Sequence, residues 1–139
     1  MGLLQKPKLK GKKSINHIFI KMKKIYHLSS CDTCKRILKE LAPSDEFILQ
    51  DIKTESISEA ELEQMAAMAG GYEPLFSKRA RLYKERNLKE QKLTEADYKN
   101  LILEHYTFLN RPVILMDDHI FIGNNKAVTA EAKIKIAGR

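Results

Sequence analysis

The stretch Lys24-Ile25-Tyr26-His27-Leu28-Ser29-Ser30-Cys31-Asp32-Thr33-Cys34, continued by Lys35-Arg36-Ile37-Leu38-Lys39-Glu40-Leu41, decides the fold. Residues 24–28 are short and β-prone and stop at two serines. Cys34, Ile37, Leu38 and Leu41 then fall at i, i+3, i+4 and i+7, the spacing of one helix face. Pro43 closes that helix, because the residue before a proline is pushed out of the helical region. The result is a strand, a two-residue break and a helix over 31–41 that opens on Cys-x-x-Cys.

Outward from there, residues 47–52 predict a second strand. Ser58 with Glu61 forms a capping box that opens a helix running to about Ala69, with Leu62, Met65, Ala66 and Ala69 on one face. Gly70-Gly71 ends it. Residues 75–90 are basic and helical in pattern but ambiguous. Thr94 with Asp97 opens another helix, placing Tyr98, Leu101, Ile102 and His105 on one side. Arg111-Pro112 introduces a strand at Val113–Met116, Asp117-Asp118 turns the chain, and His119–Ile122 returns as a hairpin partner. Residues 124–136 predict a final helix. The order is β-α-β, a helical insertion, then β-β-α. Parallel strands joined by a crossover helix and a closing antiparallel hairpin give a four-stranded mixed sheet. The predicted class is α/β: a thioredoxin-like four-stranded mixed sheet flanked by helices, with an all-α insertion.

The chain has 139 residues, enough for one core. Its net charge is +7, which alone suggests a nucleic acid or a membrane surface as partner. Six lysines lie within residues 1–21, which contain no acid, and residues 22–139 carry +1. The excess is therefore an arm, not a face. Residues 1–21 are expected to be a disordered basic N-terminal arm or a start read too early, with residues 22–139 as the folded domain. The apolar run 18–20 is too short for a signal core or a membrane span, and no other stretch is long enough. A cytoplasmic monomer with no membrane contact is the expectation.

Both cysteines lie in the Cys-x-x-Cys. A structural zinc site needs four ligands, and His17, His27, His105 and His119 show no metal-binding spacing, so no metal is expected. A redox role fits the placement after a first strand and at a helix start. Cys31 falls where free N–H groups and the positive end of the helix dipole stabilise a thiolate. Cys34 falls one turn later, on the inward face. Cys31 is therefore the expected attacking thiolate and Cys34 the resolving thiol. His27, four residues before Cys31, either lowers the thiolate pKa further or is a hydrogen-bonded strand residue.

Tyr26-His27-Leu28-Ser29-Ser30-Cys31, Pro74-Leu75-Phe76-Ser77-Lys78-Arg79 and Asn110-Arg111-Pro112-Val113-Ile114 together resemble three motifs of the glutaredoxin-type arsenate reductase (ArsC) family and its relative Spx. The resemblance runs from about residue 23 to residue 136. It implies Cys31 as nucleophile, Arg79 and Arg111 as oxyanion-binding groups, and Pro112 in a cis peptide bond. Arginine suits the task because its planar fork carries a permanent charge matched to oxyanions. The family's further oxyanion arginine lies in the final hairpin region, where residues 113–138 contain none and Lys126 is the substitute. Cys34 is shared with Spx. The resemblance implies a thiol oxidoreductase acting on arsenate or a similar small oxyanion or thiol substrate. It implies no bound cofactor, with glutathione/glutaredoxin or thioredoxin as electron donor. The alternative is a redox-sensing regulator that binds RNA polymerase through a Cys31–Cys34 switch.

Overall fold

The structure, a computed structural model, describes residues 22–138. The basic arm of residues 1–21 lies outside the described residues. Strand β1 is Lys23–His27, helix α1 Asp32–Leu41, strand β2 Ile48–Asp51 and helix α2 Glu59–Ala69. After a single-turn helix at Glu73–Leu75 come α3 at Arg81–Glu85, a second such turn at Leu88–Glu90, and α4 at Glu95–Glu104. A third turn at Tyr106–Phe108 leads to β3 at Val113–Met116, β4 at His119–Ile122 and α5 at Lys126–Ala137. The sheet order is β2-β1-β3-β4. Strand β1 pairs parallel with β2 and antiparallel with β3, and β3–β4 is the antiparallel hairpin. This is the mixed sheet that the sequence predicts.

The central strands are covered on both faces, and their alternation divides the core in two. Ile25, Ile114 and Met116 pack with Ile37, Leu41 and Ala132 beneath α1 and α5. Tyr26, Val113 and Leu115 point the other way, into a cluster with Leu62, Met65, Leu75 and Phe76 of the insertion. Strands buried on both faces read as near-continuous apolar runs, as Val113-Ile114-Leu115-Met116 does.

Element ends follow local chemistry. Ser58 and Glu61 form a full capping box at α2, and Thr94 and Asp97 form one at α4. Helix α2 ends at Gly70, whose φ of 88° is the left-handed conformation that glycine adopts without strain. Helix α1 starts at Asp32, one residue after the expected start, with Cys31 as its N-cap. Helix α5 starts at Lys126 because the Asn125 side chain accepts from the Ala127 and Val128 N–H groups. The predicted start at residue 124 is thus two residues early. His105 leaves the α4 face: it is extended, and its ring Nδ1 accepts from the Thr107 N–H at 3.2 Å.

The insertion is closed by its own ends. Phe76 and Leu109 form an isolated antiparallel bridge. Beside it, the Ser77 N–H donates to the Phe108 carbonyl and the Asn110 N–H to the Leu75 carbonyl, each at 2.7 Å. The Asn110 side-chain amide donates to the Pro74 and Phe76 carbonyls at 3.2 and 3.1 Å. Phe76 itself sits among the rings of Tyr83, Tyr98 and Phe108. These bonds hold residues 77–79 against residues 110–111, which creates the site.

Candidate active site

Cys31 ends the turn between β1 and α1. Its N–H donates to the Leu28 carbonyl at 3.0 Å, and its carbonyl accepts from Lys35 N–H at 3.0 Å to begin the helix. Its side chain makes no capping bond to the backbone, so the sulfur stands at the helix N-terminus in place of a cap. Cys31 is partly exposed, Cys34 is fully buried, and both are free thiols.

The two thiols are held in opposite states. Desolvation pushes the Cys31 thiol up, but the Cys34 N–H, the Cys34 thiol, the Thr33 N–H and the Arg111 charge outweigh it, leaving the thiol below its ordinary value. For Cys34, burial pushes the thiol up to about 11; a backbone hydrogen bond from Leu28 opposes this, and the adjacent Cys31 sulfur adds to it. The two thiols are thus shifted apart, Cys31 down and Cys34 up.

A cleft of about 350 Å³ opens beside Cys31 and is lined by Ser77, Arg79, Asn110, Arg111 and Asn125, among others. Cys31, Arg79 and Arg111, which are 80 residues apart in sequence at the extremes, thus meet in one place. Arg111 Nη1 donates to the Leu109 and Thr107 carbonyls at 3.1 and 3.4 Å. Its Nε is buried with no hydrogen-bond partner. Arg79 is exposed and forms no ion pair among the described residues. The Arg111–Pro112 peptide bond is cis. The Pro112 carbonyl accepts from the Gly123 N–H at 2.9 Å, so the two rims of the cleft are tied together.

Three placements differ from the sequence reading or extend it. His27 does not line the cleft. It pairs with Asp51 across β1 and β2, and the groups that act most on the Cys31 thiol do not include it. Asp51 accepts from the Ser29 hydroxyl, from the Ser29 N–H at 3.3 Å and from the Lys53 N–H at 3.2 Å. The Ser29 hydroxyl bond is the main cause of the lowered Asp51 pKa; desolvation opposes it, and His27 adds to the lowering. Lys126 does not line the Cys31 cleft; it lies with Arg36 and Lys133 in an adjoining depression that shares Asn124 with it. Gly123, Asn124 and Asn125 occupy that rim of the cleft instead. Ser77, Thr107 and Asn110 also line the cleft without having been singled out as ligands; the only signal for them was proximity to the two arginine motifs. Among the described residues, no three His, Cys, Asp or Glu side chains gather as a metal site, and no helix is long and apolar enough to cross a membrane.

A four-stranded mixed sheet, a cysteine at the first helix start and a cis Arg111–Pro112 bond ahead of the third strand define a thioredoxin-like fold. Residues 26–132 match the sequence profile of the ArsC family, and the chain belongs to that family. It is 33% identical over 106 residues to an uncharacterized protein of Haemophilus influenzae, covering 73% of this chain and 90% of the relative. It is 26% identical over 104 residues to the global transcriptional regulator Spx of Bacillus subtilis, covering 73% of this chain and 79% of Spx. Its fold is similar to that of an arsenate reductase from Vibrio cholerae, with a TM-score of 0.63, 18% identity, and 84% and 98% of the two chains covered.

Proposed function

We propose that this protein is a thiol oxidoreductase in which the Cys31 thiolate attacks a small oxyanion, arsenate or similar, or a disulfide, and Cys34 resolves the product. The observation that carries this reading is the meeting of Cys31, Arg79 and Arg111 in one cleft. The arginines neutralise the substrate charge that would otherwise repel a thiolate. With arsenate, the Cys31 sulfur bonds to arsenic and one arsenic oxygen leaves as water. The Cys34 thiolate, after losing its proton, then attacks the Cys31 sulfur. The sulfur–arsenic bond breaks, its electron pair passes to arsenic, and arsenite leaves behind a Cys31–Cys34 disulfide. Two electrons from glutathione/glutaredoxin or thioredoxin restore the thiols. With a disulfide substrate, Cys31 forms the mixed disulfide and Cys34 releases the reduced product.

The deciding experiment is arsenate-dependent turnover, with the glutaredoxin and thioredoxin systems supplied separately. Activity that is present in the wild type and lost in Cys31→Ser supports the narrow reading. Absence of turnover with arsenate, together with reduction of a small disulfide, restricts the reaction to disulfide exchange. The likeness to Spx and the Cys-x-x-Cys favour a second reading, a redox sensor that binds RNA polymerase. Purified RNA polymerase that binds the oxidised and reduced chains unequally selects this second reading, and equal or absent binding rejects it.

A further inference from the structure

Next to the Cys31 cleft lies an open groove of about 630 Å³, lined by Lys78, Arg79, Arg81, Tyr83, Lys84 and Lys89 among others. It shares Arg79 and Ala80 with the cleft, so the two form one continuous surface. Residues 78–92 hold seven basic and two acidic residues, against eleven basic and sixteen acidic in the rest of 22–138. A domain that is neutral as a whole therefore carries a concentrated positive patch beside its reactive sulfur. Arg81 pairs with Glu85 at 3.1 Å and Lys78 with Glu73 at 3.5 Å. Arg79, Lys84 and Lys89 are exposed and form no ion pair among the described residues.

We propose that this groove is the docking surface for an acidic protein partner that exchanges disulfide with Cys31; this rests on the exchange role of Cys31 proposed above. A second copy of the chain is a poor occupant, because it would bring the same positive patch. A nucleic acid is disfavoured because Glu85 and Glu90 interrupt the patch and Tyr83 is the groove's single aromatic ring, whereas single strands bind on rows of aromatics. Exposed cations at the mouth of a reactive site instead suit steering and orientation of an acidic macromolecule. In the exchange, a partner thiolate attacks Sγ of Cys31 in the Cys31–Cys34 disulfide, and the Cys34 thiolate leaves and takes a proton. The partner's second thiolate then attacks the partner sulfur bonded to Cys31. Cys31 departs as thiolate, and the partner is left as a disulfide, having supplied two electrons.

The test uses the full oxidised chain and two synthetic dithiol peptides with the same Cys-Gly-Pro-Cys centre, one flanked by four glutamates and the other by four serines. At low salt, the acidic peptide is expected to reduce the chain about fivefold faster than the serine peptide. The preference should vanish near 0.5 M salt, where the Debye length falls to about 4 Å. It should also vanish in the double variant Lys84→Glu/Lys89→Glu. Dithiothreitol, which is uncharged, should reduce wild type and double variant equally, which shows that both are folded and competent. Equal rates for the two peptides at low salt, or a preference that survives the double substitution, overturn the docking proposal while leaving the Cys31 role intact. If dithiothreitol regenerates no reactive Cys31, the exchange role itself fails, and docking with it. Binding of a fluorescent single-stranded oligonucleotide at about 0.15 M salt that is lost in the double variant would reassign the groove to nucleic acid.

Discussion

Three helix starts in this fold share one backbone problem and solve it in two ways. At α2 and α4 a hydroxyl and a carboxylate saturate the first N–H groups: Glu61 N–H to Ser58 and Ser58 N–H to Glu61 at 3.0 and 2.9 Å, and Asp97 N–H to Thr94 and Thr94 N–H to Asp97 at 3.2 and 2.8 Å. At α1 the N-cap is Cys31, which makes no such bond. The Thr33 and Cys34 N–H groups act on sulfur instead and favour its charged form. The same kind of orphan donor is capped at two helices and favours a sulfur's charged form at the third.

That contrast can be broken at either end. The largest effect belongs to Cys31→Ser, which should abolish alkylation and exchange at α1, leaving Cys34 inert near neutral pH. Because serine is a strong N-cap, the same substitution should stabilise the domain by about 1 kcal/mol, roughly 4 °C in Tm, at acid pH where the Cys31 thiol is protonated both folded and unfolded. A fall in Tm would show that the α1 start is not under-capped. Next come Ser58→Ala and Thr94→Ala, each expected to cost about 1 kcal/mol in denaturant unfolding. Neither should move the pH profile of Cys31 alkylation. A smaller effect is expected from Arg111→Gln, which should shift that profile to higher pH, while Arg111→Lys should keep it nearer wild type. The shift is modest because Arg111 contributes less to the lowered thiol than the Cys34 and Thr33 contacts.

The pH dependence of stability is subtler still. The folded Cys31 thiol lies below its unfolded value, so the unfolded chain binds the extra proton and stability rises with pH up to about 8.5. The folded Cys34 thiol lies above its unfolded value, so stability then falls between about 8.5 and about 11. Equilibrium unfolding across this range should show the first trend disappear in Cys31→Ser and the second in Cys34→Ala.

Much of this was legible in the chain because the signals are local. Ser58/Glu61 and Thr94/Asp97 mark their helix starts within four residues, and the Cys34, Ile37 and Leu41 face fixes α1. The hairpin follows from Asp117-Asp118 between two apolar runs. Residues 75–90 resisted reading because single turns and the five-residue α3 stand there, too short for a periodic pattern. Their order comes from Phe76 bridging Leu109 across the insertion. Ser77 arrives in the cleft by the same long-range stitching, its N–H on the Phe108 carbonyl, which no local pattern encodes. For His27 the spacing leaves two roles open, and strand register sets it opposite Asp51.

The central claim is that backbone N–H groups and Arg111 lower the Cys31 thiol at the start of α1 while burial raises that of Cys34. Its most direct measurement is the rate of iodoacetamide alkylation at each cysteine, followed by mass spectrometry across pH. The account predicts that Cys31 reacts first, with a midpoint below the free-thiol value of about 8.5, and that Cys34 stays unreacted well above that pH. A Cys31 midpoint at or above about 8.5, or earlier labelling of Cys34, would contradict it.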